Sequence, residues 1–211
     1  MTTETLTDVR SDASSPAAVT APGAIILVRH GEPALSRKVL LTSRGYREWW
    51  ERYEVGGLLE GQVPPDCLVE TVKNAGTVYS STRPRSMETA AAVAGERPVP
   101  SDALFIEAPL PPPDFPGFVR LSPRWWGVVA RAWWWFFNHH DEGQESRDQA
   151  KARAREAADR LERHAADGRD VVVLAHGFFN GMVGVELTKR GWRCVRDKGF
   201  KYWSARHFRK A

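Results

Sequence analysis

Two short runs of branched apolar residues constrain the fold of this chain more than any other feature. They are "AIILV" at residues 24–28 and "DVVVLA" at residues 170–175. Apolar runs of this length, without alternating polar residues, are typical of strands that are buried on both faces, as in parallel sheets. A third candidate strand is the shorter "TVYS" at residues 77–80.

Helical patterns separate these strands. The stretch "LTSRGYREWWERY" can be capped by Thr42 or Ser43, and "RPRSMETAAAVAG" ends near Gly95. Ser146 and Gln149 form a capping-box pattern in front of a long helix with a narrow alanine stripe. Buried strands that alternate with helices predict an α/β fold with a mainly parallel central sheet.

Two further segments are predicted to be extended. The stretch "ALFIEAPL", residues 103–110, indicates a brief extended run that is stopped by the prolines behind it. The alternating "KYWSARHFR", residues 201–209, predicts an edge strand.

Length and composition suggest one folded domain. The chain has 211 residues, of which 42% are hydrophobic, enough for one sizeable core. Residues 1–22 are rich in Ser, Thr, Ala and Pro, which predicts a disordered tail in front of a domain over residues 23–211. The tail lacks the apolar segment of a secretory signal, no long apolar run predicts a transmembrane helix, and the two cysteines form no disulfide framework. We therefore expect a cytoplasmic protein.

The charge of the chain is mildly basic, with a formal net charge of +4 that is concentrated near the C-terminus. A basic segment of this kind is compatible with a solvated surface, with attraction of anionic substrates or with nucleic acid. Apart from Tyr202, Trp203 and Phe208, the segment lacks the interleaved aromatic residues of a stacking platform. We expect no specific nucleic-acid binding.

Charged and titratable residues follow each predicted strand or extended run. In a parallel sheet, ligands bind beyond the carboxyl ends of the strands, so these residues should gather at one edge. The residues in these positions are Arg29, His30, Glu32, Arg83, Arg85, Glu107 and His176.

This set of side chains suits phosphate chemistry. Arginine presents planar donors to phosphate oxygens, a neutral imidazole can attack phosphorus, and a carboxylic acid can protonate a leaving alkoxide. No carboxylate cluster suited to Mg²⁺ stands at these strand ends, so cationic side chains would have to neutralise the phosphate. We expect neither a metal nor another cofactor.

Four motifs in order resemble the histidine phosphatase superfamily, in the branch with the RHG motif. They are "LVRHGEP", "LTSRG", "SSTRPRSMETA" and "LAHG", and the resemblance covers about residues 24–210. It implies the three-layer α/β/α sandwich of the phosphoglycerate mutases, with a mainly parallel central sheet.

The resemblance also implies roles for individual residues. His30 would be the nucleophile and would pass through a phosphohistidine. Arg29, Arg85 and His176 would hold the phosphate. Glu107 would donate a proton to the leaving group and then activate water.

The remaining assignments depart more from the family pattern. Gly177 of "LAHG" and Ser36 are expected to bind substrate, although Ser36 stands where many members have an asparagine. Arg83 falls where the family is variable, which makes it a weaker candidate for a substrate contact. Glu32 is the alternative proton donor, because the usual glycine-rich continuation is missing after Glu107.

A tryptophan-rich segment at about residues 118–140 has no counterpart in these motifs. It is compatible with an ordinary helix over the sheet, or with a helical insertion that forms a lid, a subunit contact or a membrane-surface contact. We expect the segment to wall the pocket and to favour an apolar or aromatic leaving group.

The sequence therefore predicts a metal-independent phosphatase that acts on a small phosphate ester or on a phosphoprotein. A phosphoglycerate-type mutase is the first alternative, and the substituted Ser36 together with a loose match at "GQES" argues against it. A phospho-ligand-binding module without turnover is the second. The oligomeric state is left open.

Overall fold

The elements of the fold follow the predicted alternation. A computed structural model of the protein describes residues 21–199 and 201–211, so nearly all of the predicted tail lies outside the described residues. The strands are β1 Ile25–Arg29, β2 Thr77–Ser81, β3 Ser101–Asp102, β4 Val171–Ala175, β5 Trp192–Asp197 and β6 Ala205–Lys210. The helices are α1 Ser43–Val55, α2 Asp66–Asn74, α3 Pro84–Ala94, α4 Pro123–Phe137, α5 Arg147–Ala165 and α6 Gly177–Lys189.

The strands form one sheet in the order β3-β2-β4-β1-β6-β5. The neighbours β1 and β4 are parallel, with Ile25 opposite Val171, and β2 is parallel to both β4 and β3. Strand β6 runs antiparallel to β1 and to β5. The prediction of a mainly parallel sheet is confirmed.

Helices cover both faces of the sheet. On one face Ile25, Leu27 and Val173 pack against α5 and α6. On the other face Ile26 and Val172 pack against α2 and α3. The continuous apolar runs of β1 and β4 are explained by this double coverage, and the predicted three-layer α/β/α sandwich is confirmed.

Two local predictions were wrong. The edge beyond β6 is formed by β5, so β6 is an inner strand and not the predicted edge strand. Strand β5 was missed because it exposes every side chain except Trp192, so its sequence shows no alternation of apolar and polar residues. Residues 103–105 form a 3₁₀ turn, Ala103–Phe105, in place of the first part of the predicted extended run, because Asp102 accepts a hydrogen bond from the Leu104 N–H and caps the turn.

The predicted helix caps are present. The Thr42 side chain accepts from the Gly45 N–H, and Ser146 and Gln149 form the reciprocal capping box of α5. Among the helices of the described chain, none is long and apolar enough to cross a membrane.

Candidate active site

The two histidines at the strand ends lie side by side. His30 follows β1 and His176 follows the parallel neighbour β4, and the His30 N–H donates to the Ala175 carbonyl at 2.9 Å. Their ring centroids are 5.2 Å apart in an edge-on arrangement. His30 is 2% exposed and His176 is fully buried, so both imidazoles lie at the bottom of a cleft.

The imidazole of His30 is held in one tautomer. Its Nδ1 donates to the Gly31 carbonyl oxygen at 2.7 Å, because a carbonyl can only accept. Burial, together with the charges of Arg85 and Arg29, holds the pKa of His30 well below its ordinary value. The ring is therefore neutral at pH 7, and its unprotonated Nε2 carries a lone pair.

The imidazole of His176 has the opposite arrangement. Its Nδ1 accepts from Arg85 Nη2 at 3.4 Å, and its Nε2 donates to the Ser81 hydroxyl at 2.9 Å. Burial, and next the charge of Arg85, hold the pKa of His176 well below its ordinary value. Both histidines are thus neutral in this structure.

The guanidinium of Arg85 is fully buried beside the histidines. Its Nη1 donates to the Tyr53 carbonyl at 2.8 Å, its Nη2 contacts Glu54 Oε1 at 2.9 Å, and its carbon lies 4.3 Å from the centre of the Tyr53 ring. Arg85 Nε is buried without a hydrogen-bond partner among the described residues. A buried N–H donor without a partner costs free energy. An anion bound in the cleft would supply the acceptor.

Glu54, at the end of α1, organises the arginines that follow β2. One of its carboxylate oxygens pairs with Arg85, and the other pairs with Arg83 Nη2 at 2.5 Å. Arg83 is therefore held by Glu54 and is not among the residues that line the cleft. Sequence reasoning missed Glu54, because no spacing rule connects the end of α1 with the segment after β2.

Three further side chains that sequence reasoning did not place in the site, Arg37, Tyr53 and Tyr202, complete the inner cleft. The guanidinium carbon of Arg29 lies 4.4 Å from the Tyr202 ring centre, and Arg37 Nη2 donates to the Tyr53 hydroxyl at 2.7 Å. Tyr202 also lies near His30, with ring centroids 5.9 Å apart. The only sequence signal for Arg37 was its place in the loop behind the first histidine motif.

Glu107 reaches the cleft from the segment behind the 3₁₀ turn. Its Oε1 accepts from the Phe179 N–H at 2.8 Å, and its Oε2 accepts from the Phe178 N–H at 3.3 Å. These N–H groups belong to the first turn of α6, where unpaired backbone donors and the helix dipole attract a carboxylate. The Phe178 contact is the longer of the two.

The remaining predicted residues differ in whether they line the cleft. Gly177 starts α6 and lines the cleft, and a β-carbon on it would lie 3.4 Å from the Arg29 side chain. Ser36 lies outside the cleft lining, where its hydroxyl accepts from the Lys38 N–H at 3.1 Å. Glu32, the alternative proton donor, does line the cleft.

A close approach at Gly31 shapes the turn behind β1. A β-carbon on this residue would lie 2.4 Å from the indole of Trp203. Trp203 itself has a φ of 60°, a left-handed conformation that is strained for a bulky residue. The requirement for glycine at position 31 therefore comes from the indole packed against it.

The cleft has a volume of about 710 Å³, and α4 forms one of its walls. The prediction that the tryptophan-rich segment walls the pocket is confirmed for α4, but no tryptophan of α4 takes part. The residues that line the cleft from this segment are Ser122, Pro123, Arg124, Gly127, Val128 and Arg131. Two of the six are cationic, which argues against the expected preference for an apolar leaving group.

Within the described residues, no three His, Cys, Asp or Glu side chains gather as ligands of one metal ion. Cations dominate the cleft instead. They are Arg29, Arg37, Lys38, Arg85, Arg124 and Arg131, against the carboxylates of Glu32 and Glu107.

Comparisons with known proteins give the family and the fold of this chain. The sequence matches the profile of the histidine phosphatase superfamily (branch 1) over residues 25–197. No curated protein sequence matches the chain.

Among solved structures, a mycobacterial glucosyl-3-phosphoglycerate phosphatase is similar, with 22% identity, a TM-score of 0.53 and coverage of 79% of this chain and 80% of that one. A phosphoserine phosphatase from Entamoeba histolytica, bound to 3-phosphoglyceric acid, has 15% identity, a TM-score of 0.53 and coverage of 79% and 80%. Identities this low establish the shared fold alone. Since the family profile spans most of the sequence and includes both cleft histidines, the chain belongs to branch 1 of the histidine phosphatase superfamily.

Proposed function

We propose that this protein is a phosphomonoester phosphatase that works without a metal ion and through a phosphohistidine on His30. The observation that carries the proposal is the state of His30. Its Nδ1 proton is held by the Gly31 carbonyl and its pKa is lowered, so Nε2 is available as a nucleophile at neutral pH.

The surrounding cations stabilise the transferring phosphoryl group. Arg29 and Arg85 donate to its equatorial oxygens, where negative charge is concentrated in the transition state. The arrival of a dianion also favours the protonated form of His176, which then donates to a phosphate oxygen. The low exposure of both histidines strengthens these interactions by excluding water.

In the first half-reaction, His30 Nε2 attacks phosphorus and the bond between phosphorus and the ester oxygen breaks. Glu107 gives its proton to the leaving alkoxide. For this step Glu107 must arrive protonated, with the hydroxyl on Oε2, because Oε1 is better held by the Phe179 N–H. In the second half-reaction the Glu107 carboxylate takes a proton from water, the resulting hydroxide attacks the phosphohistidine, and inorganic phosphate leaves with His30 restored.

The cleft also bears on the substrate class. Lys38, Arg124 and Arg131 add positive charge beyond the cations that would hold the phosphate. They favour a small phosphate ester that carries a second anionic group over one with an apolar leaving group. An anionic segment of a phosphoprotein would have the same charge, and the substrate panel should include one.

The test is a panel of phosphate esters assayed in the presence of EDTA, with and without a second anionic group in the substrate. We expect turnover that His30→Ala abolishes and that His140→Ala, an exposed histidine outside the cleft, leaves unchanged. A requirement for a bisphosphate primer would identify a mutase instead. Tight binding of phosphate esters without turnover by the wild-type protein would identify a binding module.

The role of Glu107 has its own test. A 4-nitrophenolate leaving group needs no proton, whereas an alkoxide does. We expect Glu107→Gln to lower kcat/KM for an alkyl phosphate by about 10²–10⁴-fold, and that for 4-nitrophenyl phosphate much less. An equal loss for both substrates would remove Glu107 as the acid, and the same comparison on Glu32→Gln would then test the alternative donor.

A further inference from the structure

The outward side of α4 carries a strip of exposed apolar side chains. Trp125, Val128, Trp135 and Phe136 are exposed by 62%, 49%, 42% and 74%, and we call them the outer strip. Their spacing places them on one side of the helix, opposite the buried Trp126, which packs against α1. An exposed apolar patch with this share of aromatic surface is typical of an interaction site.

Cations flank the outer strip at both ends. Arg124 near its start and Arg131 in the middle of α4 line the cleft together with Val128. Near its end, the Lys151 ammonium lies 5.1 Å from the centre of the Trp135 ring. Among the described residues the acidic partner of Lys151 is Asp148 at 3.7 Å, and the two side chains are exposed by 37% and 69%.

A groove of about 560 Å³ extends the apolar surface from α4 onto α6. Met182 and Val185 line it beside Trp135, and Val185 is 55% exposed. Arg155 and Lys189 are among its lining cations, and Lys189 is paired with Glu186 at 2.7 Å. The surface around the outer strip is therefore apolar at its centre and positive on balance at its margins.

We propose that the outer strip docks this protein on a phospholipid bilayer with anionic headgroups. The two indoles of the outer strip would lie at the level of the headgroups, where rings with a polar edge are favoured. The Phe136 ring would enter the boundary between headgroups and acyl chains, and the flanking cations would contact lipid phosphates. A second copy of the chain fits less well, since a two-fold contact would bring the same positive margins together. This inference does not depend on the proposed phosphatase reaction.

The docked orientation has a consequence for the cleft. Val128 belongs both to the outer strip and to the cleft wall, so the α4 side of the cleft lies at the membrane surface when the strip is docked.

The test is sedimentation of the full chain with vesicles made of equal parts phosphatidylcholine and phosphatidylglycerol, compared with vesicles of phosphatidylcholine alone. We expect binding to the anionic vesicles that weakens as salt is added. The double variant Trp125→Ser with Phe136→Ser should bind at least about tenfold more weakly. Because both side chains are exposed, the variant should keep the wild-type thermal unfolding midpoint.

The control replaces two exposed apolar residues outside α4. Val63→Ser with Val195→Ser, at positions exposed by 82% and 59%, should bind as the wild type does. Lys151→Gln with Arg155→Gln should weaken binding to the anionic vesicles by roughly fivefold for each cation removed.

Three outcomes would overturn the proposal. The first is a wild-type protein that binds neither vesicle, or both equally. The second is anionic-vesicle binding that the outer-strip variant retains, which would point to the basic C-terminal segment. The third is a wild-type dimer in light scattering that the same variant converts to a monomer, because the strip would then be a subunit interface.

Discussion

Moderately acidic pH should destabilise this fold through its two cleft histidines. Both His30 and His176 are buried, and the pKa of each is held well below the ordinary 6.5. The two imidazoles therefore bind protons at a higher pH in the unfolded chain than in the folded protein. The free energy of unfolding keeps its full value above about pH 6.5 and decreases as the pH falls towards the folded-state pKa values of the two histidines.

The magnitude follows from the linkage relation. Between about pH 7.5 and about pH 5, protonation of one histidine in the unfolded state alone lowers the free energy of unfolding by about 2 kcal/mol. The two cleft histidines together give an upper limit of about 4 kcal/mol. Burial also lowers the pKa of His207, which adds to the pH dependence within this window. Glu162 and Asp102, whose pKa values are lowered below 4.5 and 3.8, contribute mainly below it.

The assay is urea unfolding followed by tryptophan fluorescence at both pH values. His30→Asn keeps an amide donor at the position of Nδ1 for the Gly31 carbonyl but cannot titrate, so it should lose about half of the pH dependence that the two cleft histidines contribute. His140→Asn is the matched control, because this exposed histidine should leave the dependence unchanged. An equal free energy of unfolding at the two pH values, or a full pH dependence in His30→Asn, would refute the conclusion that His30 is buried in its neutral form.

Three substitutions test the packing around the cleft. Gly31→Ala should cost about 1–3 kcal/mol and lower kcat/KM, because its β-carbon would meet the Trp203 indole; urea unfolding and steady-state kinetics measure the two effects. Trp134→Ala removes a fully buried side chain between α4 and α6, and we expect a loss of about 3–5 kcal/mol in urea unfolding. Glu54→Gln should cost about 2 kcal/mol, since the buried guanidinium of Arg85 loses its charged partner. A loss below about 0.5 kcal/mol in any of the three would contradict the packing or pairing described for that residue.

The central part of the site could be predicted from the sequence, because its residues follow strands that lie side by side in a parallel sheet. His30 and His176 stand directly behind two buried strands, and those strands are parallel neighbours. Arg85 follows β2, which is the other neighbour of β4. Residues at the carboxyl ends of adjacent parallel strands must approach one another, whatever else the chain does.

The supporting residues were not accessible in this way. Glu54 lies at the end of a helix, Arg37 lies in a loop and Tyr202 precedes a strand that runs antiparallel to β1. Arg37 and Tyr202 reach the cleft through the paths of irregular segments, and Glu54 reaches Arg85 through the packing of α1. Sequence spacing reports neither. Ser36 is the opposite case. Its position relative to the family motif predicted a substrate contact, but it lies outside the cleft lining.

The sequence alone determined the layered fold and the pair of histidines, because buried strands and strand ends are properties of short stretches. Only the tertiary structure decided how α4 is turned about its axis, with Trp126 and Trp134 buried, Arg124 and Arg131 on the cleft, and the outer strip in solvent. The physical reason is that this helix is apolar on nearly every side. When several faces of a helix are equally apolar, the packing of the neighbouring helices determines which face is buried.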